Sequence, residues 1–188
     1  MWFKRQSKPI QNALTGAPYF LQSLDSVDAT DDQLERITSI CNEPAVYRWL
    51  FESRYSGQPY PGSSAAEWLS WGADGWINQT HFAFAVLNAE GRVAAACDIK
   101  DTNRDSAEIG YWSGAAHRGI MTNAVQAMLE LGLEAGFRGF FAEVHQENLQ
   151  SRGVLTRAGL QLTERSPRRP FYLIYECVMR MREHPGSC

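Results

Sequence analysis

Apolar residues recur along this chain with two periods, and the switches between them mark its elements. Tyr19-Phe20-Leu21-Gln22-Ser23-Leu24 reads as a first strand. Thr30-Asp31-Asp32-Gln33 has the spacing of a capping box, and Leu34, Ile37, Ile40 and Cys41 then share one helical face. Asn42-Glu43-Pro44 breaks that helix and starts a short second one, with Asn42 or Glu43 near its cap and Pro44 in its first turn. Val46, Trp49 and Leu50 give the short helix its buried side. A Gly/Pro-rich loop follows from Tyr55 to Gly62, and Ser63 or Ser64 caps a third helix reaching Asn78. That helix carries Trp68, Leu69, Trp71, Trp76 and Ile77, which pack it on a sheet or also wall a substrate cleft.

From Thr80 the period becomes two. Phe82, Phe84 and Val86 alternate with small residues, Asn88-Ala89-Glu90-Gly91 turns the chain, and Arg92 to Lys100 returns as the second strand of a hairpin. A polar turn leads to a strand, Ala107-Glu108-Ile109-Gly110-Tyr111-Trp112, then a small-residue turn from Ser113 to Gly119 and a helix from Ile120 to Ala135. Phe140 to His145 is the next strand, and Glu147-Asn148-Leu149-Gln150-Ser151 opens another helix. Strands Leu160 to Glu164 and Phe171 to Met179 close the pattern. This order predicts an α/β (α+β) sheet with helices on its faces. Residues 1–17 read as a flexible lead-in, 18–182 as one domain and 183–188 as a tail. The strand, turn, helix, strand, helix unit from Ser106 to Gly159 suits a phosphorylated ligand, because a helix start offers unpaired amides and a partial positive charge.

Composition narrows the function. A chain of 188 residues fits one well-buried domain. The formal net charge of −3 argues against a nucleic-acid partner. No apolar run has the length of a membrane span, and Lys4-Arg5 is not followed by the apolar core of a signal peptide, so a cytoplasmic protein is expected. The four cysteines lack C-x-x-C spacing and the four histidines do not pair at ligand spacing, so neither a disulfide framework nor a metal site is expected.

The run from Tyr19 to Met179 resembles the GNAT superfamily of acyl-CoA N-acyltransferases, in the branch that acetylates N-terminal amines of ribosomal proteins. Three motifs carry the resemblance: Ala107 to Trp112, His117-Arg118-Gly119-Ile120-Met121-Thr122-Asn123-Ala124, and Glu147 to Leu155 with Ala158-Gly159-Leu160; Asn42-Glu43-Pro44-Ala45-Val46 is a further feature of the branch. The resemblance implies a mixed, mostly antiparallel central sheet with helices on both faces. It implies acetyl-CoA as co-substrate and no metal. The acceptor it implies is a small-molecule amine or a protein N-terminus, which attacks the thioester directly, in a monomer or homodimer.

Residue by residue, the resemblance implies that the backbone of Tyr111, Trp112 and Ser113 pairs with the pantetheine arm. His117, Arg118, Gly119, Ile120, Met121 and Thr122 would surround the pyrophosphate, with His117 or Arg118 adding charge. Ser151 would sit near the sulfur as a proton donor, and Asn148 would meet the pantetheine arm or a water. Glu108 is the candidate general base, with Glu143 and Asp98 behind it. The turn before the helix is shorter and poorer in glycine than the family pattern, and Met121 stands where that pattern has Gly or Ala. Arg165, Arg168 and Arg169 could face an acidic acceptor, the 3′-phosphate of coenzyme A, or solvent. A second reading of the same residues is a GNAT-fold coenzyme A-binding or regulatory module with weakened catalysis.

Overall fold

The structure, a computed structural model, describes residues 2–178. Its strands are β1 (Ser7–Gln11), β2 (Pro18–Ser23), β3 (Phe82–Asn88), β4 (Val93–Ile99), β5 (Ala107–Ser113), β6 (Gly139–His145), β7 (Gln161–Arg165) and β8 (Tyr172–Val178). The helices are α1 (Asp31–Cys41), α2 (Pro44–Leu50), α3 (Glu52–Tyr55), α4 (Gly62–Asn78), α5 (Met121–Glu134) and α6 (Leu149–Ala158). The strands form one eight-stranded sheet in the order β1-β2-β3-β4-β5-β6-β8-β7. Every neighbouring pair is antiparallel except β5 with β6.

The period-two pattern of β3 and β4 supplies both faces of the sheet. On one face Phe84, Val86, Cys97 and Ile99 join Val125, Met128 and Leu129 of α5 and Leu155 of α6 in the larger core. On the other, Ala83, Ala85 and Val93 meet Ile37 and Cys41 of α1 and Ala65 and Leu69 of α4. The alanines let helices approach closely from both sides, which is why the strands read as nearly unbroken apolar runs. Gly132 shows how close: a Cβ there would lie 2.7 Å from Phe140 Cζ. Two helix starts carry the predicted side-chain caps, whereas α4 starts at Gly62 after Pro61 with Ser63 and Ser64 inside it. Thr30 Oγ1 accepts from Gln33 N at the start of α1, and Asn148 Oδ1 accepts from Ser151 N at the start of α6.

One expectation is overturned. Residues 2–17 are not a flexible lead-in. Phe3 is buried against Trp76, Phe82, Phe84 and Phe137, and β1 pairs with β2 from Ser7↔Gln22 to Gln11↔Pro18. The apolar residues of the stretch are clustered at its ends and split by a polar run with a proline, so it has no local period. Its order comes from the free edge of β2 and from an apolar pocket built by distant residues. The predicted last strand reaches Met179 and the tail covers 183–188, and these positions lie outside the described residues.

Candidate active site

The central strands separate. Pairing between β5 and β6 is confined to Ala107↔Phe140 and Glu108↔Phe141. Beyond it, β5 stays on β4 as far as Ser113↔Ala95, and β6 stays on β8 as far as His145↔Tyr172. Each strand is thus held by its outer neighbour while the facing edges diverge into a wedge. Backbone amides and carbonyls along Ile109 to Ser113 have no β6 strand opposite them. Such groups need partners, and an extended ligand carrying amides can supply them as an added strand does.

On one side of this wedge the α6 start delivers a hydroxyl pair. Tyr111 Oη and Ser151 Oγ lie 2.7 Å apart, and the tyrosine hydroxyl also lies 3.0 Å from the Ser151 carbonyl, to which it can donate. Asn148 caps the helix through the Ser151 amide at 3.1 Å, which fixes where the serine stands. Burial pushes the Tyr111 phenol well above its ordinary pKa, with the Ser151 hydrogen bond opposing the shift. Tyr111 therefore keeps its proton at neutral pH. Ser151, Tyr111 and Asn148, separate motifs in sequence, form one cluster.

Strand alternation puts the acidic candidates on the opposite face. Trp112 packs on Trp68 of α4 at 5.4 Å between ring centroids. Glu108 accepts an ion-pair hydrogen bond from Lys100, at the closed end of the wedge. Asp98 sits across from Gly110, where its Oδ1 is buried without a partner. Burial raises its pKa, Lys100 opposes that shift and Glu108 adds to it. Glu143 is buried except for 14 % of its side chain and accepts from Ser166 Oγ at 2.9 Å, with Arg169 Nη1 at 3.6 Å. Part of the basic cluster is thereby accounted for: Arg169 lies over the Tyr172 ring and beside Glu143. Trp49 at 5.1 Å from His145, and Phe171 and Tyr172 near the same ring, give this side an aromatic rim.

The turn before α5 is a 3-10 turn, Ala115–His117, followed by Arg118, Gly119 and Ile120. His117 is not a charge for a bound anion. Only 9 % of it is exposed, and both ring nitrogens are engaged. Arg36 Nη2 lies 2.5 Å from Nε2, and Tyr19 Oη lies 2.8 Å from Nδ1. Arginine can only donate, so Nε2 accepts and Nδ1 carries the proton toward Tyr19. Ser113 Oγ reaches only the Gly114 carbonyl at 3.3 Å. Arg118 is exposed, Ile120 and Met121 are buried, and Thr122 Oγ1 accepts from Arg157 Nε at 3.3 Å.

Burial, and then the Arg36 charge, lower the His117 pKa from its ordinary 6.5, with Glu43 and Glu90 opposing. The unfolded chain binds that proton at higher pH than the folded one. The contribution to stability is therefore complete above the unfolded value and is lost as pH falls through 6.5 toward the folded pKa. Urea midpoints measured between about pH 7.5 and about pH 5 should fall for the native protein, and fall less for His117→Gln. An identical fall in both would show that another group carries the effect.

Several residues of this region escape a local reading of the sequence. Glu43 Oε2 accepts from the Ala115 amide at 2.6 Å. Asn12, 4 % exposed, donates from Nδ2 to the Arg118 carbonyl at 2.9 Å, and the Ala13 amide donates to the Gly119 carbonyl at 3.1 Å. Gly119 has φ +100°, and a Cβ there would lie 2.5 Å from Asn12 Oδ1. Glu43 reads as a cap residue and part of a family motif, and Asn12 as part of a polar lead-in. Arg36 and Tyr19 read as helix surface and strand. No periodicity relates any of them to the turn.

The acetyltransferase (GNAT) domain family matches residues 26–161. Among solved structures, the chain is similar to Mycobacterium smegmatis RimJ in complex with CoA-disulfide, at 17 % identity and TM-score 0.73, covering 99 % of this chain and 91 % of that one. It is similar to RimL, a ribosomal L7/L12 alpha-N-protein acetyltransferase in complex with coenzyme A, at 14 % identity and TM-score 0.71, covering 92 % and 98 %. It is also similar to the microcin C7 self-immunity acetyltransferase MccE in complex with acetyl-CoA and AMP, at 17 % identity and TM-score 0.65, covering 86 % and 92 %. At these identities the likeness is one of fold. No curated protein matches the sequence.

Proposed function

This chain belongs to the GNAT acetyltransferase family, and on that premise we propose that it transfers an acetyl group from acetyl-CoA to a primary amine. The acceptor is a small-molecule amine or a protein N-terminus. The observation that carries this reading is the wedge between β5 and β6 with the Tyr111–Ser151 hydroxyl pair at its side. The solved structures of similar fold with coenzyme A or acetyl-CoA bound support it.

Acetyl-CoA supplies an activated thioester. The unpaired edge of Tyr111 to Ser113 fits the amides of a pantetheine arm and would hold it extended. The amine attacks the thioester carbonyl, a C–N bond forms and the C–S bond breaks. The amine's proton leaves toward Glu108, Asp98 or Glu143, directly or through water, and the departing thiolate takes a proton from Ser151, which recovers one from solvent water by way of the hydrogen-bonded Tyr111 hydroxyl. Acid and base then stand on opposite faces of β5, as two proton transfers at opposite ends of one displacement require. Alignment in the wedge supplies the remaining advantage.

The test is acetyl-CoA turnover measured by thiol release across small amines and short peptides with free N-termini. Acetylated product from at least one acceptor class is the expected result. Saturable acetyl-CoA binding with no turnover on any acceptor would instead support the coenzyme A-binding module. That second reading draws on one observation, the ion pair that ties Glu108, the first base candidate, to Lys100.

A further inference from the structure

Of the three candidate carboxylates beside the wedge, two already have partners. Glu108 is paired with Lys100, and Glu143 accepts from Ser166 Oγ at 2.9 Å with Arg169 Nη1 at 3.6 Å. Asp98 is different. Its Oδ1 is buried with no hydrogen-bond partner among the described residues. A buried carboxylate oxygen without a donor is costly, and a donor that arrives with a ligand removes that cost.

The backbone turns this oxygen toward the wedge. Asp98 on β4 stands opposite Gly110 on β5, just past the β5–β6 pairing that ends at Glu108. A Cβ at Gly110 would lie 2.8 Å from Asp98 Oδ1 and 2.8 Å from Lys100 Cε. The place of the missing side chain therefore belongs to the carboxylate and to the lysine methylenes. Trp112, one alternation further along the same face, packs on Trp68. Gly110, Trp112, Phe141 and His145 are only half-buried there, so the face has aromatic walls and room for an acceptor beside Asp98. Lys100 is the movable cover. Its side chain is 43 % exposed and held at its tip by Glu108, so it can swing out as a substrate ammonium comes in.

Resting on the acetyl-transfer reading, we propose that Asp98 is the catalytic base of this site, and that Lys100 and Glu108 act on the reaction through it. An amine arrives at neutral pH as an ammonium. Its N–H bond breaks toward Asp98 Oδ1, and the freed lone pair forms the C–N bond. The C–S bond breaks, and the thiolate takes the Ser151 proton. The second proton that the nitrogen sheds goes to water, and Asp98 returns its own to water after the product leaves. Burial raises the Asp98 pKa, which brings the base closer to an ammonium donor. The groups that face it tune it further: Lys100 lowers that pKa, Glu108 raises it, and the Gly110 amide and His81 lower it.

The test is single-turnover acetyl transfer against pH, with acetyl-CoA and the fastest acceptor of the amine and peptide screen. A carboxylate accepts a proton only when ionised, so the native rate should rise with pH through the Asp98 pKa. Asp98→Asn should be slower by about a hundredfold at neutral pH, with the deficit shrinking as alkaline solution supplies free amine. It should bind acetyl-CoA within about threefold of native, which also reports that it is folded. Lys100→Met removes a charge that favours the ionised form, and should move the rise to higher pH by about half a pH unit. Glu108→Gln removes the opposing charge, and should move it to lower pH by about as much. These two shifts report on Asp98 without altering it, so they decide the matter if Asp98→Asn does not fold. A native profile in Asp98→Asn or in both neighbour variants, or a rise that disappears in Glu108→Gln, overturns the assignment and leaves acetyl transfer standing. If no acceptor is acetylated, the transfer reading fails and this inference with it.

Discussion

Replacing Ser151 by alanine should lower acetyl transfer by about a hundredfold in kcat, with the donor dissociation constant within about threefold of native. The expectation rests on where the serine stands. Asn148 holds its amide and Tyr111 its hydroxyl, so Oγ has a fixed position beside the opening between β5 and β6. A thiolate that leaves a thioester needs a proton or a hydrogen bond at once, and a positioned hydroxyl supplies it. The buried Tyr111 keeps its proton at working pH and can donate toward Ser151 as that serine gives its own proton away. Tyr111→Phe should therefore cost about tenfold in kcat, and the double variant little more than Ser151→Ala alone, because the two act as one relay. Single-turnover thiol release separates this from slow product release. A Ser151→Ala enzyme with native single-turnover rate would remove the serine from the chemistry and leave it a first-turn helix residue.

Gly139→Ala should lower stability by about 2–4 kcal/mol and shift the urea midpoint accordingly, with an unchanged m-value. Its Cβ would lie 2.1 Å from the Asp105 carbonyl oxygen, and a backbone atom there cannot rotate away. The neighbourhood is also tied. The Arg138 and Gly139 amides both lie on the Arg104 carbonyl, and Gly139 opens the pairing of β6 with β8. The next residues, Phe140 and Phe141, are the ones that pair with β5. The clash therefore falls at the closed end of the wedge, and the loss of stability should come with a weaker donor affinity. By contrast Gly159 closes α6 with open space around it, and alanine there should cost only the strain of its positive φ, about 1 kcal/mol. A Gly139→Ala protein as stable as native would mean that the β5–β6 junction shifts freely, against the packing described.

Much of this protein was legible in its sequence. The capping box at Thr30, the break at Pro44, the alternation of β3 and β4 and the Asn148 cap each act within one turn or one hairpin, so local pattern suffices to find them. The family motifs placed Tyr111, Asn148 and Ser151, and the structure gathers them. The same reading offered Arg118 or His117 as an added charge, and the structure buries His117 against Tyr19 and Arg36. The difference is physical in origin. Exposure of one histidine in a small-residue turn depends on two partners 98 and 81 residues away.

The N-terminal segment follows the same logic in reverse. Phe3, Ile10 and Asn12 form no period, yet they complete the core, the sheet edge and the back of the turn before α5. Sequence by itself determined the order of strands and helices from β2 onward, the short α3 apart, with the family and the hydroxyl at the α6 start, because helix caps and strand alternation are short-range properties of the chain. Tertiary structure alone decided that β5 and β6 part after Glu108, that Glu43 holds the Ala115 amide, and that Phe3 and Ile10 are core. Those outcomes depend on which surfaces meet once the sheet closes, and only the folded chain brings them into contact.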